Sequence, residues 1–126
     1  MSLDRSISLP IWEVTIRETG QVLLRHVIRA DSFGRRFWGL MGHPTLGEAQ
    51  GLWFPQTKII HTFFMRFPLG VVYLTRDYEV VAKETVIPWH FGGWYSRVSQ
   101  VVEMSPDLLP QVQLGTHWQF QFKRDD

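Results

Sequence analysis

A chain of 126 residues, 44% hydrophobic and 20% charged, has the size and balance of a single globular domain (1–126) with one core. Its 13 basic and 12 acidic side chains leave no global field to draw in nucleic acid, and no apolar run reaches the roughly 18 residues of a membrane span. The absence of cysteine excludes disulfides, thiolate nucleophiles and iron–sulfur clusters. Met1 to Pro10 holds no apolar stretch of secretory length, so a cytoplasmic location is expected.

Taken in chain order, Ile11 to Glu18 alternates, with Trp12, Val14 and Ile16 on one face, which predicts a half-buried strand. Thr19-Gly20 supplies a turn and Val22 to Arg29 a second strand, making a hairpin. Asp31 or Ser32 can cap a short helix over Phe33 to Met41, closed by Gly42. The middle of the chain divides into short apolar segments that are read as strands, at Leu52 to Phe54, Ile59 to Arg66, Val71 to Thr75 and Glu79 to Val86. Phe67-Pro68-Leu69-Gly70 and Arg76-Asp77-Tyr78 are read as the turns between them. Arg97 to Met104 is a further strand, and Ser105-Pro106-Asp107 opens a helix that Pro110 keeps short. In the last strand Trp118, Phe120 and Phe122 should point inward and His117, Gln119, Gln121 and Lys123 outward. The expected fold class is therefore mostly β: a small antiparallel β-sandwich or barrel with one or two short helices.

The ordered motifs Arg36-Phe37-Trp38-Gly39-Leu40-Met41, Gly51-Leu52-Trp53-Phe54, His61-Thr62-Phe63-Phe64-Met65, Pro68-Leu69, Val71-Val72-Tyr73-Leu74 and Val101-Val102-Glu103 carry a resemblance. Together they resemble the bacterial and archaeal domain of unknown function 192 over about residues 27 to 122. The resemblance implies a small β-rich fold and no established activity. In that family an Asp usually follows the Pro-Leu turn and a Gly-Asp precedes the last strand. This chain has Gly70 and Thr116 in place of the two acids, which makes chemistry built on paired carboxylates the least attractive proposal; the alternative is that both acids only capped turns.

His61 can serve as a general base, a ligand or a hydrogen-bonded structural side chain. Glu103 stands in an apolar strand, where an inward carboxylate needs a cation or backbone N–H groups, and Arg36 is the partner expected. An Arg36–Glu103 pair is read first as fastening a helix to the sheet, and second, joined to His61, as a polar cluster that serves a site. The loop Pro88 to Tyr95 carries Trp89 and Trp94, and its rings either plug the end of the core or stack on a ligand. His26, His43, His61, His90 and His117 lack ligand spacing, so no metal and no cofactor is expected.

The reading that best unites these residues is a non-catalytic binding or accessory module for a small molecule or an extended peptide. Arg36, Trp53, His61, Met65, Glu103, Trp89 and Trp94 would line its site. A small hydrolase using His61 with Arg36 or Glu103 is the alternative enzyme, although no confident catalytic residue stands out. Single-strand nucleic-acid binding by exposed aromatics is the third reading, disfavoured by the charge balance. The sequence leaves the ligand, the oligomeric state and the question of catalysis open.

Overall fold

The computed structural model describes residues 11–30 and 50–123. The helix expected over Phe33 to Met41, and Arg36 with it, lie outside the described residues. Seven strands are present: β1 (Ile11–Ile16), β2 (Val22–Arg29), β3 (Gly51–Pro55), β4 (Leu69–Thr75), β5 (Val80–Val86), β6 (Val98–Met104) and β7 (Trp118–Lys123). A 3-10 turn over Pro106–Gln111 separates β6 from β7. Ser105 caps that turn, its hydroxyl accepting the Asp107 N–H at 3.4 Å, and Pro110 lies inside it, as its sequence leads one to expect.

The strands form one sheet in the order β5-β4-β6-β3-β2-β1-β7, and only β2–β3 is parallel. The mostly β class with a short helix holds as expected; within it the sheet is mixed rather than all-antiparallel, and it is one sheet that does not close into a barrel. The sheet nevertheless curls far enough for its two edges to meet at one end. There Glu79 bridges His117, Trp118 N–H donates to Tyr78 C=O (2.9 Å) and Val80 N–H donates to Thr116 C=O (2.8 Å). The Glu18 carboxylate fastens the same end, accepting the His117 backbone N–H at 2.8 Å and facing Nδ1 at 2.5 Å. The backbone bond contributes most to holding the Glu18 carboxyl well below the usual range, at about 2.

Two apolar clusters follow from the curl. The inner one gathers Val14, Leu24, Val27, Trp53, Val72, Leu74, Val80, Val102, Met104, Leu109, Val112 and Trp118, drawing on both edges of the sheet. The outer one lies on the reverse face of β3 to β6 and contains Leu52, Phe54, Leu69, Val71, Tyr73, Ala82, Val86 and Val101. Every residue of β4 is buried because both its faces are covered, which is why its sequence is a continuous apolar run rather than an alternation. Phe122 is the exception to the inward phase of β7, being 54% exposed where that strand reaches the open end.

The segment Ile59 to Arg66, expected as a strand, is instead a crossover. Strands β3 and β4 both run antiparallel to β6, which lies between them, so they are parallel to each other and their connection must pass over a face of the sheet. The crossover lays Ile60 and Met65 on the outer cluster and keeps only an isolated bridge, His61 to Phe91.

Candidate functional site

The crossover and the β5–β6 connection meet through Thr62, which is fully buried. Its hydroxyl donates to Ile87 C=O (2.5 Å) and accepts the His90 N–H (3.0 Å). Its backbone C=O accepts the Trp89 N–H (3.0 Å), and its N–H donates to His90 C=O (2.8 Å). Gly92 N–H closes the pairing on Ile60 C=O at 2.9 Å. Thr62→Val keeps the shape and removes the hydroxyl, orphaning the His90 N–H. The expected cost is about 2 kcal/mol, read as a thermal midpoint lower by several degrees with an unchanged far-UV spectrum.

A second fastening comes from Glu84. This acid occupies the phase of Ala82 and Val86 on the outer face of β5, and one carboxylate oxygen accepts from Tyr73 Oη (2.6 Å), Gly93 N–H (2.7 Å) and Tyr95 Oη (3.4 Å). Burial first, and then the Glu84 carboxylate, push the Tyr73 hydroxyl far above its usual range, and the same causes raise Tyr95. Gly92 allows the loop to come this close, since a Cβ there would stand 2.4 Å from Tyr73 Oη and 2.9 Å from Ile60 Cγ1. The one clue in the sequence to this cluster is an acid at an inward strand phase; its partners come from separate elements.

Held in this way, the two loops turn their large side chains outward. Ile59, Phe64, Ile87, Trp89, Phe91 and Trp94 are between 53% and 77% exposed. Phe64 and Trp89 have φ of +69° and +67°, a left-handed backbone that costs a non-glycine residue roughly 1–2 kcal/mol. Their rings touch at 4.6 Å between centroids, and Phe63 lies against Trp89 (6.0 Å, 23° between planes) and Phe91 (5.0 Å). The result is a platform of touching rings. Of the Pro88–Tyr95 loop, Tyr95 packs on the core while Trp89, Phe91 and Trp94 face outward, so a plug accounts for only part of it.

His61 lies at the platform's edge, half-buried against Phe63 (4.8 Å) and Phe91 (6.3 Å). Its Nδ1 accepts the Phe63 N–H at 3.2 Å, so the neutral ring carries its proton on Nε2. His90 has the opposite arrangement, with Nδ1 donating to Pro88 C=O at 2.9 Å. Met65 is buried in the outer cluster rather than open to a ligand. Trp94 is exposed and makes no ring contact among the described residues.

Glu103 is fully buried on the outer face, in register with Leu52 and Val71. Trp53 pairs with the preceding residue of β6, Val102, and projects from the other face. There its ring stacks on Phe120 (4.0 Å, 18°) and its Nε1–H donates to Gln100 Oε1 (3.0 Å). Glu103 and Trp53 therefore lie on opposite sides of the sheet and do not line one pocket. Among the described residues no group of three His, Asp or Glu side chains is placed to hold a metal ion.

The two departures from the resembled family are also placed. Thr116 donates its hydroxyl to Gln113 C=O (2.6 Å) and closes a turn. Gly70 lies inside β4 and not in a turn, which corrects the reading of residues 67–70.

The sequence profile of a family described as "Uncharacterized ACR, COG1430", DUF192, matches residues 14–120. A "UPF0127 protein" of Thermococcus sibiricus (strain DSM 12597 / MM 739) is 37% identical over 76 residues, 57% of this chain. The matched stretch spans about half of that relative, 49% of its length. A crystal structure of a protein of unknown function from Novosphingobium aromaticivorans DSM 12444 superposes with a TM-score of 0.65 at 16% identity, covering 94% of this chain and 91% of that one. A crystal structure described as that of a "putative transcription regulator" from Sinorhizobium meliloti 1021 gives a TM-score of 0.64 at 19% identity over 90% of this chain and 96% of that one. At such identities the two structures establish a shared fold.

Proposed function

The chain belongs to the DUF192 family, and since that family supplies no activity to inherit, we propose that it is a non-catalytic binding module that seats a ligand on the Phe63–Phe64–Trp89–Phe91 platform. The observation that carries this reading is the exposure of Phe64, Trp89 and Phe91, linked ring to ring through Phe63 and Trp89 on two clamped loops, an apolar surface that folded proteins do not ordinarily leave open without use. Left-handed backbone at Phe64 and Trp89 supports it, because a fold that needed only a closed core would turn those rings inward. The ligand presents a flat apolar face, whether it belongs to a small molecule or to an extended peptide. Two observations disfavour the hydrolase: His61 Nδ1 is engaged by the Phe63 amide, and Glu103 is sealed in the core.

The amphiphilic dye 1-anilinonaphthalene-8-sulfonate tests the platform directly. The folded protein should bind it saturably, and Phe64→Ser with Trp89→Ser should weaken that binding by about tenfold or more without changing the far-UV spectrum. A native protein that leaves the dye unbound would end this reading.

A further inference from the structure

The two loops that carry the platform also expose aliphatic side chains, and their charge is one-sided. Ile59 and Ile87, each more than half exposed, gain nothing from a hydroxyl-bearing sugar and stack on no base. Segments 56–67 and 87–97, which carry the whole platform, contain Lys58, Arg66 and Arg97 and no acidic residue, in a chain otherwise balanced in charge. Arg97 is drawn to Glu79 (4.0 Å). Lys58 and Arg66 bracket Ile59 to Met65 along the chain, are exposed and form no ion pair with a described residue. Glu84, at the loop's base, is committed to Tyr73, Gly93 and Tyr95.

The backbone of the tip is also prepared for a surface poor in water. The amides of Thr62, Trp89, His90 and Gly92 all donate across the two loops, so entry into a less polar layer strands none of these four. Trp, Phe and Ile at the apex with cations beside them match the depth profile of a lipid–water interface, where aromatic rings sit among headgroups and Lys or Arg meets anionic phosphates. A second copy of this chain fits less well, because face-to-face packing would bring Lys58 and Arg66 of both copies together.

Resting on the binding reading of the platform, we propose that its partner is the surface of an anionic lipid bilayer, into which Phe64, Trp89, Phe91 and the flanking isoleucines insert while Lys58 and Arg66 contact headgroup phosphates. The full chain is sedimented with phosphatidylcholine vesicles containing about a quarter phosphatidylglycerol, and tryptophan emission is recorded in parallel. The expected result is co-sedimentation with a blue shift in emission. Phe64→Ser with Trp89→Ser should abolish both, and Lys58→Gln with Arg66→Gln should lower partitioning on the order of tenfold. High salt should weaken binding in the same direction.

Dye binding without vesicle binding would overturn the lipid assignment and leave the binding module standing. Vesicle binding that ignores the Phe64 and Trp89 substitutions would overturn it as well, as would a dimer in solution that those substitutions dissolve. Failure of both dye and vesicles would remove both readings.

Discussion

Gly70→Asp, which restores the acid usual in the resembled family, is expected to destabilise this protein by about 3 kcal/mol or more. Gly70 is buried in β4, against the 3-10 turn. A Cβ there would lie 3.1 Å from Leu109 Cγ, 3.2 Å from the Met104 carbonyl oxygen and 3.2 Å from Pro106 Cα. Two of those neighbours are backbone and cannot swing aside. Beyond the Cβ, the carboxylate would enter a layer of Leu109 and Met104 beside a carbonyl oxygen that repels it. Gly70→Ala isolates the steric part and should cost about 1–3 kcal/mol. Urea midpoints of the two variants make the comparison, and a Gly70→Asp protein within about 1 kcal/mol of the parent would show that the turn moves freely. Thr116→Asp provides the contrast, because that half-exposed site loses only the hydroxyl's bond to Gln113 C=O, worth about 1 kcal/mol.

Alkali should unfold the protein through Tyr73. Its hydroxyl, fully buried and donating to Glu84, holds its proton more tightly in the folded state than the ordinary value near 10 of an unfolded chain. The stabilisation is therefore complete below pH 10 and is lost as pH rises above it, where the unfolded chain ionises and the folded one does not. Ionised Tyr73 would also stand 2.6 Å from a carboxylate oxygen. The expected result is a steep loss of stability above about pH 10, with tyrosinate absorbance rising together with the loss of native circular dichroism. Tyr73→Phe should be about 1–2 kcal/mol less stable near neutrality yet more resistant to alkali, so that the two stability curves converge. Titration of Tyr73 near pH 10 in a protein that stays folded would refute this account.

Much of the strand pattern was legible because period-two burial writes itself into a sequence wherever one face of a strand is wet. Strands β1 and β2 with the Gly20 hairpin, β6, the capped 3-10 turn and β7 fall where their residues place them. The same rule misread Ile59 to Arg66, whose aromatic and aliphatic residues resemble a strand although a crossover uses them to cover a face and to project outward. Local pattern reports which residues avoid water, not whether a sheet or another loop shields them. The phase of Trp53 against Glu103 follows from the register of β3 on β6, and no spacing along the chain reveals it.

By itself the sequence determined a cysteine-free, mostly β chain, the hairpin turn at Gly20 and the aromatic loop at Pro88 to Tyr95, since composition and alternation act over a few neighbouring residues. The tertiary structure alone decided that β2 and β3 run parallel, that Thr62 and Glu84 lock two distant loops together, and that Phe64, Trp89 and Phe91 form one exposed platform. Those outcomes depend on which strand lies between which, and that choice is made when the whole sheet buries its two faces at once.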